Sequence, residues 1–494
     1  MKNLTGVFYT PSIMSISLIV LITLFSCSKT DTLRSGESGM SQESLMSASA
    51  SSKANLSSLT FTGTKLAFPE ATGFAKESRG AYAKYEQTGN TADLPKVLYV
   101  DNLNNSGTGS LRTALTATYP RIVIFRVGGT IALSSTISIT SPYITIAGYT
   151  APGGGICIKG ATIWVMTSEV IIRNIRVRNG VWAAPDHGTD GISISAQGTK
   201  IKNVIIDHCS VSWASDEQIG INGTKGGIEN VTVQNSILAE GFLGHAFGIL
   251  CNGKLGDTYH ITNVSIHRNL FVSTEGRTPR FGEYVTGTVI NNLVHNWGSK
   301  ASEYVDGTKG DILYNKFKPG KNTSSGGLKK TIEIIWDGST QKSAVYVAGN
   351  GSVPPLLYGY PSGSTLANSL ANSAYYNSSI YGFTPISDLS SLESNLLPTV
   401  GAFPRDAADA RFVSQYINGT GSIPTSAGTY PTLKSAVYPA NNSGIHTAWL
   451  VKKGYAASET AASALTQSYL INPANGKNGY SILEEFMNDA ALYN

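Results

Sequence analysis

The sequence predicts an all-β protein folded as a right-handed parallel β-helix, with long loops and a short, partly helical C-terminal extension. Short strands rich in Val and Ile recur along the chain, and a polar turn that often holds Asn follows each of them. The turn residues Asn269, Asn292 and Asn315 are spaced 23 residues apart. Gly accounts for 52 of the 494 residues and charged residues for only 14%, a composition that favours β structure with many turns.

The repeated strands run from about Tyr99 to about Asn350. A period in the low twenties, with about three strands per repeat, matches one rung of a parallel β-helix, whose strands pair with those of the preceding rung. The longer interval from Asn235 to Asn269 indicates a loop inserted into this period. Asparagines at equivalent turns are then expected to stack as a hydrogen-bonded ladder. The clearest repeats are VIIRN at 170–174, VIIDHC at 204–209, VTVQNS at 231–236, VSIHRN at 264–269 and VINNL at 289–293.

Two other repeat or β folds agree less well with this pattern. A leucine-rich repeat has a similar period, but its Leu-x-x-Leu-x-Leu pattern does not occur and the strands are rich in Val and Ile. A β-sandwich requires alternating polarity and hairpin turns, both of which are sparse in this sequence. The parallel β-helix therefore remains the predicted architecture.

The first 60 residues are interpreted as a leader and a tether. An apolar stretch over about 13–25 is short for a membrane span and ends just before Cys27. The segment Leu-Phe-Ser-Cys at 24–27 resembles a bacterial lipobox, so residues 1–27 are predicted to be a lipoprotein signal peptide with lipidation at the cysteine. The alternative is an ordinary secretory leader with an incidental cysteine. Residues 28–60 hold few large apolar side chains and predict a flexible tether.

These features predict a protein of the bacterial cell envelope. We expect either an outer-membrane lipoprotein, facing the periplasm or the cell exterior, or a secreted protein, and contact with the membrane only through the lipid anchor. The formal net charge of +5 is a weak bias toward anionic partners. Nucleic-acid binding is not expected, because no basic run is interleaved with aromatic residues. We expect a monomer.

The remainder of the chain divides into a β-helix domain over residues 61–350 and an extension over 351–494. The extension is rich in loops and is expected to pack on the β-helix, with short helices at 406–413 and 482–487. Three cysteines follow Cys27, an odd number without metal-binding spacing. They predict small buried thiols rather than disulfides or a zinc site.

An ordered set of short segments extends from about residue 65 to the end of the chain. The segments are AFPEATGF at 67–74, YVDNLNNSGTGSLR at 99–112, IAGYTAPG at 146–153, IDHCSVSW at 206–213, GRTPRFG at 276–282, RD at 405–406 and LEEF at 483–486. In order and spacing this set resembles polysaccharide lyase family 1, the pectate lyases, and especially the lipoprotein forms of Bacteroidetes. The resemblance implies calcium-assisted β-elimination of an acidic plant polysaccharide, polygalacturonate, to 4,5-unsaturated oligogalacturonides.

Carboxylates are the residues that such a reaction needs first. The uronate carboxylate must be neutralised so that the C5 proton becomes acidic, and a hard cation held by oxygen ligands does this. Asp190 and Asp216 lie 26 residues apart, as expected for neighbouring rungs, and the resemblance implies that both bind calcium. Gly220 stands where the family has a further aspartate, so Glu217, or Asp186, is expected to replace it. The alternative is that these carboxylates only hydrogen-bond to turns.

Basic residues are the second requirement. The resemblance assigns the proton-abstracting base to Arg277, the first arginine of an Arg-x-Pro motif. Because arginine normally stays protonated, this role requires calcium and neighbouring cations to weaken its hold on the proton, which implies an alkaline optimum. Arg280 is expected to bind the substrate carboxylate as a planar fork, with a surface ion pair as the alternative. His245 and Lys254 are candidates for the substrate-binding position that the family fills with lysine; a packed core histidine is the alternative for His245.

Two other functions remain open at this stage. β-Helix polygalacturonases hydrolyse the same polymer with pairs of carboxylates, and their motifs resemble 189–191, 216–217 and, in a broken form, 244–246. A non-catalytic surface protein that binds glycans is the other possibility. It is motivated by Gly220 and by Gly282, which stands where the family often has a second arginine.

Overall fold

Three parallel sheets, here called sheets I, II and III, form the walls of a parallel β-helix, which confirms the predicted fold class. Each turn of the chain contributes one strand to sheet I, then one to sheet III and then one to sheet II. Sheet I contains β1 (Lys96–Val100), β2 (Arg121–Phe125), β5 (Ile144–Ala147), β8 (Val170–Arg173), β11 (Ile201–Asp207), β14 (Ile228–Gln234), β17 (Ile261–His267), β20 (Thr286–Ile290), β23 (Lys309–Leu313) and β26 (Ala344–Ala348). Sheet II contains β4 (Ile137–Ile139), β7 (Ile163–Val165), β10 (Ile192–Ser195), β13 (Glu217–Asn222), β16 (Phe247–Asn252), β19 (Arg280–Phe281), β22 (Ser302–Tyr304), β25 (Ile332–Ile335) and β27 (Leu357–Tyr360). Sheet III contains β3 (Val127–Ala132), β6 (Ile156–Lys159), β9 (Arg176–Arg178), β12 (Ser210–Ser212), β15 (Ile237–Ala239), β18 (Leu270–Val272), β21 (Leu293–His295) and β24 (Lys316–Lys318), with β28 (Ala436–Val437) antiparallel to β3.

The structure is a computed structural model. It describes residues 64–180, 189–223, 225–254, 259–328, 330–335, 342–351, 357–360, 370–437, 445–465 and 480–489. The signal peptide, Cys27 and the tether over 28–60 lie outside these residues, as does Asp186. Strand β27 lies beyond residue 350, where the sequence pattern ended the β-helix. None of the helices in the described part of the chain is long and apolar enough to cross a membrane.

The interior of the β-helix is filled by columns of aliphatic side chains. Val204 is paired with Val231, which is paired with Val264 on the next rung, and all three are fully buried. Because alternate residues of a strand point to opposite faces, each sheet directs one such column inward and leaves the other column outside. Val and Ile suit these strands because their branched side chains pack well on a pleated surface.

A ladder of asparagines lines the turn between sheets I and III, as predicted from the 23-residue spacing. Asn269 Nδ2 donates to Asn292 Oδ1 (3.1 Å), Asn292 Nδ2 donates to Asn315 Oδ1 (2.9 Å), and Asn315 Nδ2 donates to Asn350 Oδ1 (2.9 Å). Each amide also donates to a strand carbonyl of the preceding rung. Asn235 was wrongly counted in this series. Ser236 occupies the equivalent position, because the strand register places it beside Asn269, whose Oδ1 accepts from its backbone N–H.

A second ladder runs along sheet I and was not predicted. Asn203 Nδ2 donates to Glu169 (2.6 Å), Asn230 Nδ2 to Asn203 (3.0 Å) and Asn263 Nδ2 to Asn230 (3.1 Å). The four residues have φ between 56° and 60°, a left-handed conformation that Asn adopts more readily than most residues. The ladder therefore provides hydrogen-bond partners for side chains at four strained positions, one on each of four rungs.

The C-terminal extension contacts the β-helix through buried ion pairs. Helix α5 (Ala407–Asn418) begins at Asp406, whose side chain caps it. Arg178 of β9 donates to Asp406 (2.6 Å) and to Asp409 (2.7 Å), and Arg176 lies 3.1 Å from Asp409. Both arginine side chains are fully buried, so the helix holds the outer face of sheet III through charges that water does not reach.

The other helices are short. They are α1 (Ala83–Thr88), α2 (Leu111–Leu115), α3 (Ser325–Leu328), α4 (Leu389–Leu396), α6 (Thr447–Lys452), α7 (Ala461–Ala464) and α8 (Ile482–Asp489), with 3-10 turns at Gly80–Tyr82, Thr91–Asp93, Gly148–Thr150 and Ser378–Ile380. Helix α8 packs on sheet I with Trp449, and its Glu484 pairs with Arg79 at 2.5 Å. Helices α5 and α8 confirm the two that the sequence predicted. The cysteines of the β-helix are unpaired and buried, also as predicted.

Replacing Asn292 with Ala removes both of its ladder bonds and leaves buried backbone groups without partners. We expect Asn292→Ala to lower the free energy of unfolding by about 2–4 kcal/mol. Chemical denaturation measures this change. Asn395→Ala, which removes an exposed asparagine on α4, is the control and should change stability by less than about 0.5 kcal/mol. Equal effects of the two substitutions would show that the ladder does not stabilise the fold.

Acidification should weaken the packing of the N-terminal segment on sheet I. His267 is buried against Thr72 and Gln234, and burial, followed by the charge of Arg268, lowers its pKa from 6.5 to about 3. Between these pH values the unfolded chain binds a proton that the folded chain excludes, so stability falls as the pH is lowered, by about 1.4 kcal/mol per unit. Melting temperatures measured from pH 7 to pH 4 should fall less steeply for His267→Gln. Parallel curves would contradict this assignment.

Candidate active site

Three carboxylates predicted from the sequence meet where two neighbouring strands of sheet II begin. Asp190 precedes β10, Asp216 precedes β13, and Glu217 is the first residue of β13. One carboxylate oxygen from each residue lies within 4.8 Å of the others, and we call this group the acidic cluster. Glu217 is buried, whereas the other two are partly exposed. The cluster therefore faces solvent from the start of two neighbouring strands.

Backbone hydrogen bonds fix the loops that carry the cluster. The Asp190 carbonyl accepts from Thr162 Oγ1 and Asn179 Nδ2, both at 2.7 Å, and Gly191 N–H donates to the Glu217 carbonyl at 3.0 Å. In the strands that follow, Ile192 is paired with Ile219, a separation of 27 residues. The sequence spacing of 26 therefore misses the register by one. Asp190 aligns with Glu217, and Asp216 reaches the cluster from the preceding residue.

The electrostatics of the cluster show an excess of negative charge. Burial, and then the charge of Asp216, raises the pKa of Asp190. Burial, followed by a hydrogen bond with Asp216, raises the pKa of Glu217 well above its usual value. Burial is the larger cause of both shifts, and repulsion among the three neighbouring carboxylates adds to it. A cation among them would relieve this repulsion.

Gly220, which stands where the family has a further aspartate, leaves space that the side chain of Asp190 occupies. A Cβ atom at this position would lie 2.2 Å from Oδ2 of Asp190. The side chain of Asp190 thus lies directly over the backbone of β13, in the space that a larger residue would take. An aspartate at position 220 would displace it. The glycine at position 220 therefore allows Asp190 to take its observed place, and Glu217 supplies the third carboxylate of the acidic cluster.

Arg277 lies beside the cluster, three residues before β19. Its guanidinium forms an ion pair with Glu217 and stacks on the ring of Phe247, with Cζ 3.8 Å from the ring centroid. Its φ is 56°, and its carbonyl accepts from Ile249 N–H at 2.6 Å. A Cβ atom at Gly248 would lie 2.5 Å from this carbonyl, so glycine permits the close approach of the two rungs. The structure thus brings Arg277 to the carboxylates that the sequence singled out.

His245 and Lys254 have different surroundings. His245 Nδ1 lies 2.6 Å from Oδ1 of Asp216, and its side chain is about half exposed, so it is not a packed core histidine. Its ring and that of Phe247 make a T-shaped contact, with centroids 4.7 Å apart. Lys254 is exposed and follows the end of β16, and within the described residues its side chain makes no ion pair with the acidic cluster. The structure therefore joins His245 to the cluster but leaves Lys254 outside it.

Arg280 lies on the outer face of sheet II, one strand beyond Phe247 in β16 and two strands beyond Glu217 in β13. Its Nη1 donates to Glu303 Oε1 at 3.0 Å, and about a third of its side chain is exposed. The ion pair that sequence analysis gave as the alternative is thus present. The exposed part of the guanidinium keeps donors that face solvent.

Three further residues, Trp213, Trp297 and Asp207, are buried in the fold and lie outside the acidic cluster. Trp213 and Trp297 are fully buried, and the indole N–H of Trp297 donates to Gly327, so neither offers a platform to a sugar. Asp207 is buried between Arg173 and His208, 2.8 Å and 2.9 Å away, which keeps its pKa well below the usual range despite burial. Sequence reasoning missed Phe247 as a partner of Arg277. Phe247 lies in sequence between Glu217 and Arg277, one rung after Glu217, and this position was the signal available in the sequence.

Comparison with solved structures finds proteins of low sequence identity to this chain. Jun a 1, the major allergen of cedar pollen, superposes with a TM-score of 0.46 at 18% identity, over 67% of this chain and 92% of that protein. A mutant of a Bacillus subtilis pectate lyase superposes with a TM-score of 0.45 at 16% identity, over 69% of this chain and 99% of that protein. No model of a protein family matches the chain.

Curated relatives in fungi give a closer match. A protein named probable pectate lyase C from Aspergillus flavus is 39% identical over 277 residues, which is 54% of this chain and 58% of that relative. A protein of the same name from Emericella nidulans is 34% identical over 363 residues, which is 72% of this chain and 77% of that relative. At this identity and coverage, the chain belongs to the pectate lyase family, a family of polysaccharide lyases.

Proposed function

We propose that the protein is a pectate lyase that cleaves polygalacturonate by β-elimination, with calcium bound at the acidic cluster. The observation that carries the proposal is the meeting of Asp190, Asp216 and Glu217 beside Arg277 on one face of sheet II. The fungal relatives, both named as pectate lyases, support the substrate class. An acidic polysaccharide is therefore the proposed substrate.

The donor set of the cluster fits calcium. Calcium takes oxygen ligands at about 2.3–2.6 Å, so two ligands of one ion lie at most about 5 Å apart. The three carboxylates, within 4.8 Å of one another, meet this limit. Asp190, Asp216 and Glu217 would hold the ion, which when bound supplies a positive charge that polarises the uronate carboxylate. Substrate oxygens and water would complete its coordination.

The chain's own residues account for the position of the base. Arg277 is presented from a loop whose carbonyl is fixed to β16, and Phe247 holds one face of its guanidinium. Glu217 is shared between this guanidinium and the acidic cluster. For Arg277 to abstract the proton at C5, its guanidinium must leave the ion pair with Glu217, whose carboxylate a cation in the acidic cluster would bind instead.

Substrate contacts are assigned to the exposed polar groups around this centre. His245 lies at the outer side of Asp216, and Arg280 presents donors on the adjacent strand. Both can contact hydroxyl or carboxylate oxygens of a sugar chain laid across sheet II. Lys254 would contact substrate only at the periphery, since it is exposed beyond the end of β16.

The geometry argues against the polygalacturonase alternative. Inverting hydrolysis requires carboxyl groups about 6.5–9.5 Å apart, which leaves room for the attacking water. The acidic cluster holds carboxylate oxygens from all three of its residues within 4.8 Å. An arginine in ion-pair contact with one of them is not needed for hydrolysis. Elimination therefore accounts for more of the arrangement.

For location, we propose an outer-membrane lipoprotein anchored through Cys27, on the basis of the leader sequence alone. The protein would act as a monomer that contacts the membrane only through its lipid. Such an anchor would keep the β-helix at the cell envelope, where an extracellular polymer is met.

An assay of the purified protein on polygalacturonate tests the reaction. We expect calcium-dependent formation of an unsaturated product, followed by its ultraviolet absorbance. Arg277→Ala should lower kcat by about 100- to 10,000-fold, the range typical of a proton-transfer group. Arg126→Ala is a matched control, because Arg126 also pairs with a carboxylate, Asp101, and lies on an aromatic ring, Tyr99.

The same assay distinguishes the alternatives. Reducing ends without absorbance would indicate a hydrolase. Binding of the polymer without formation of either product would indicate a glycan-binding protein. Full elimination activity of Arg277→Ala would show that the base is another group.

Calcium binding can be measured without substrate. Added calcium should raise the melting temperature, because it binds the folded acidic cluster and not the unfolded chain. Asp190→Asn should weaken calcium affinity by about tenfold or more, since affinity depends on the number of charged ligands. Asp93→Asn, which alters an exposed pair with Lys84, should leave the calcium response unchanged. If calcium stabilised neither the wild type nor Asp93→Asn, the proposed metal site would be wrong.

A further inference from the structure

A segment of the C-terminal extension, residues 423–430, crosses the turns that connect sheet III to sheet II. We call this segment the brace. These turns lead to Asp190, Asp216 and His245, which precede strands β10, β13 and β16. The brace begins beside Asn322, whose Oδ1 accepts from Ile423 N–H at 3.0 Å. From there it passes turns of successively earlier rungs, so it runs against the direction in which the rungs advance.

The brace first contacts the turn that precedes His245. Leu243 N–H donates to the Pro424 carbonyl at 2.7 Å, and His245 N–H donates to the Phe242 carbonyl at 3.2 Å. The turn is thus fixed to the brace two residues before the imidazole that lies 2.6 Å from Asp216. The brace therefore reaches the outer side of the acidic cluster through the backbone of this turn.

Trp213, three residues before Asp216, is enclosed by the brace. Its ring and that of Tyr430 are nearly perpendicular, with centroids 4.9 Å apart. A Cβ atom at Gly428 would lie 3.3 Å from the indole, so the backbone of the brace passes close to the ring. Trp213 is fully buried and has a φ of 58°. Packing of the brace on this ring therefore fixes the start of the loop that carries Asp216.

The hydroxyl of Tyr430 reaches the turn that leads to Asp190. It donates to the Arg178 carbonyl at 3.0 Å and occupies the space that a Cβ atom at Gly180 would take. Between these two residues, Asn179 donates from Nδ2 to the Asp190 carbonyl at 2.7 Å. One tyrosine thus contacts the origins of the two loops that carry the aspartates of the acidic cluster, with its hydroxyl on one loop and its ring on the other.

We propose that Tyr430 is a positioning residue, which holds the turns at 178–180 and 213–216 so that Asp190 and Asp216 converge on a calcium ion. This inference rests on the proposed function. Calcium requires several oxygens to converge at about 2.3–2.6 Å, whereas the carboxylates of the acidic cluster repel one another. Loops that are fixed from outside need less ordering when the ion binds. Groups that orient metal ligands without touching the ion contribute to affinity in this way.

The rival explanation is that Tyr430 only attaches the C-terminal extension to the β-helix. Tyr430→Phe separates the two explanations, because it keeps the ring on Trp213 and removes the hydroxyl alone. Tyr480→Phe is the matched control. The Tyr480 hydroxyl also joins the extension to a backbone carbonyl, that of Leu66 at 3.2 Å, and a cation lies over the ring of each tyrosine.

Titration calorimetry with calcium, in the absence of substrate, measures the affinity of the purified protein. We expect Tyr430→Phe to bind calcium about tenfold more weakly than the wild type, as is typical when a group that orients metal ligands is removed. Tyr480→Phe should bind as the wild type does. In the lyase assay, the calcium concentration for half-maximal elimination should rise by the same factor for Tyr430→Phe. At saturating calcium, its kcat and KM should match those of the wild type.

The outcomes separate this inference from the proposed function. Equal calcium affinities of Tyr430→Phe and Tyr480→Phe would overturn the positioning role, even if the wild type eliminates normally. Weaker calcium binding by Tyr430→Phe, without elimination by the wild type, would support the positioning role and contradict the lyase. A wild type that binds no calcium would overturn both.

Melting temperatures measured in a chelator complete the test. We expect the two phenylalanine variants to melt at similar temperatures, because each loses one hydroxyl bond to a backbone carbonyl. If Tyr430→Phe instead melted well below Tyr480→Phe, attachment of the extension would account for weaker calcium binding, and the inference would be overturned.

Discussion

Backbone hydrogen bonds between successive rungs hold every residue of a strand beside one residue of the next. A shift of one residue in this register would turn a buried aliphatic column to solvent and bring its polar neighbours inside. The asparagine ladder opposes such a shift, because each amide must reach both the next asparagine and a carbonyl of the rung before it. Parallel stacking with a fixed register is thus the constraint on which the outer surface also depends.

The register turns large separations in sequence into short distances at the site. Asp190, Asp216 and Arg277 precede strands β10, β13 and β19 of sheet II. They are far apart in sequence and yet meet at the start of these strands. The strands themselves are short, and β19 has only two residues. Most of the reactive groups therefore come from loops, while the strands and the close contact at Gly248 fix where those loops begin.

The fold was predictable because its signal is repeated on every rung. Strand composition and the 23-residue interval indicated the β-helix and the ladder of Asn269, Asn292 and Asn315. The second ladder carried a similar signal, an Asn before Val at 203, 230 and 263, but its left-handed conformation is not visible in composition. The site was predicted residue by residue from the family resemblance.

What the sequence could not show were contacts that depend on side-chain direction. The stacking of Phe247 on Arg277 and the space above Gly220 that Asp190 fills are of this kind. The one-residue error in the register of the acidic cluster has the same origin. The spacing between two residues in the sequence includes every residue of the loop between them. The hydrogen bonds between strands determine which residues of neighbouring rungs lie side by side. Burial then determines what each charge requires. Glu303 is buried beneath Arg280 and Lys300, which compensate its charge, whereas the three carboxylates of the acidic cluster share one guanidinium, that of Arg277. The charge of Glu303 is therefore neutralised within the fold, and the acidic cluster suits the cation that we propose to bind there.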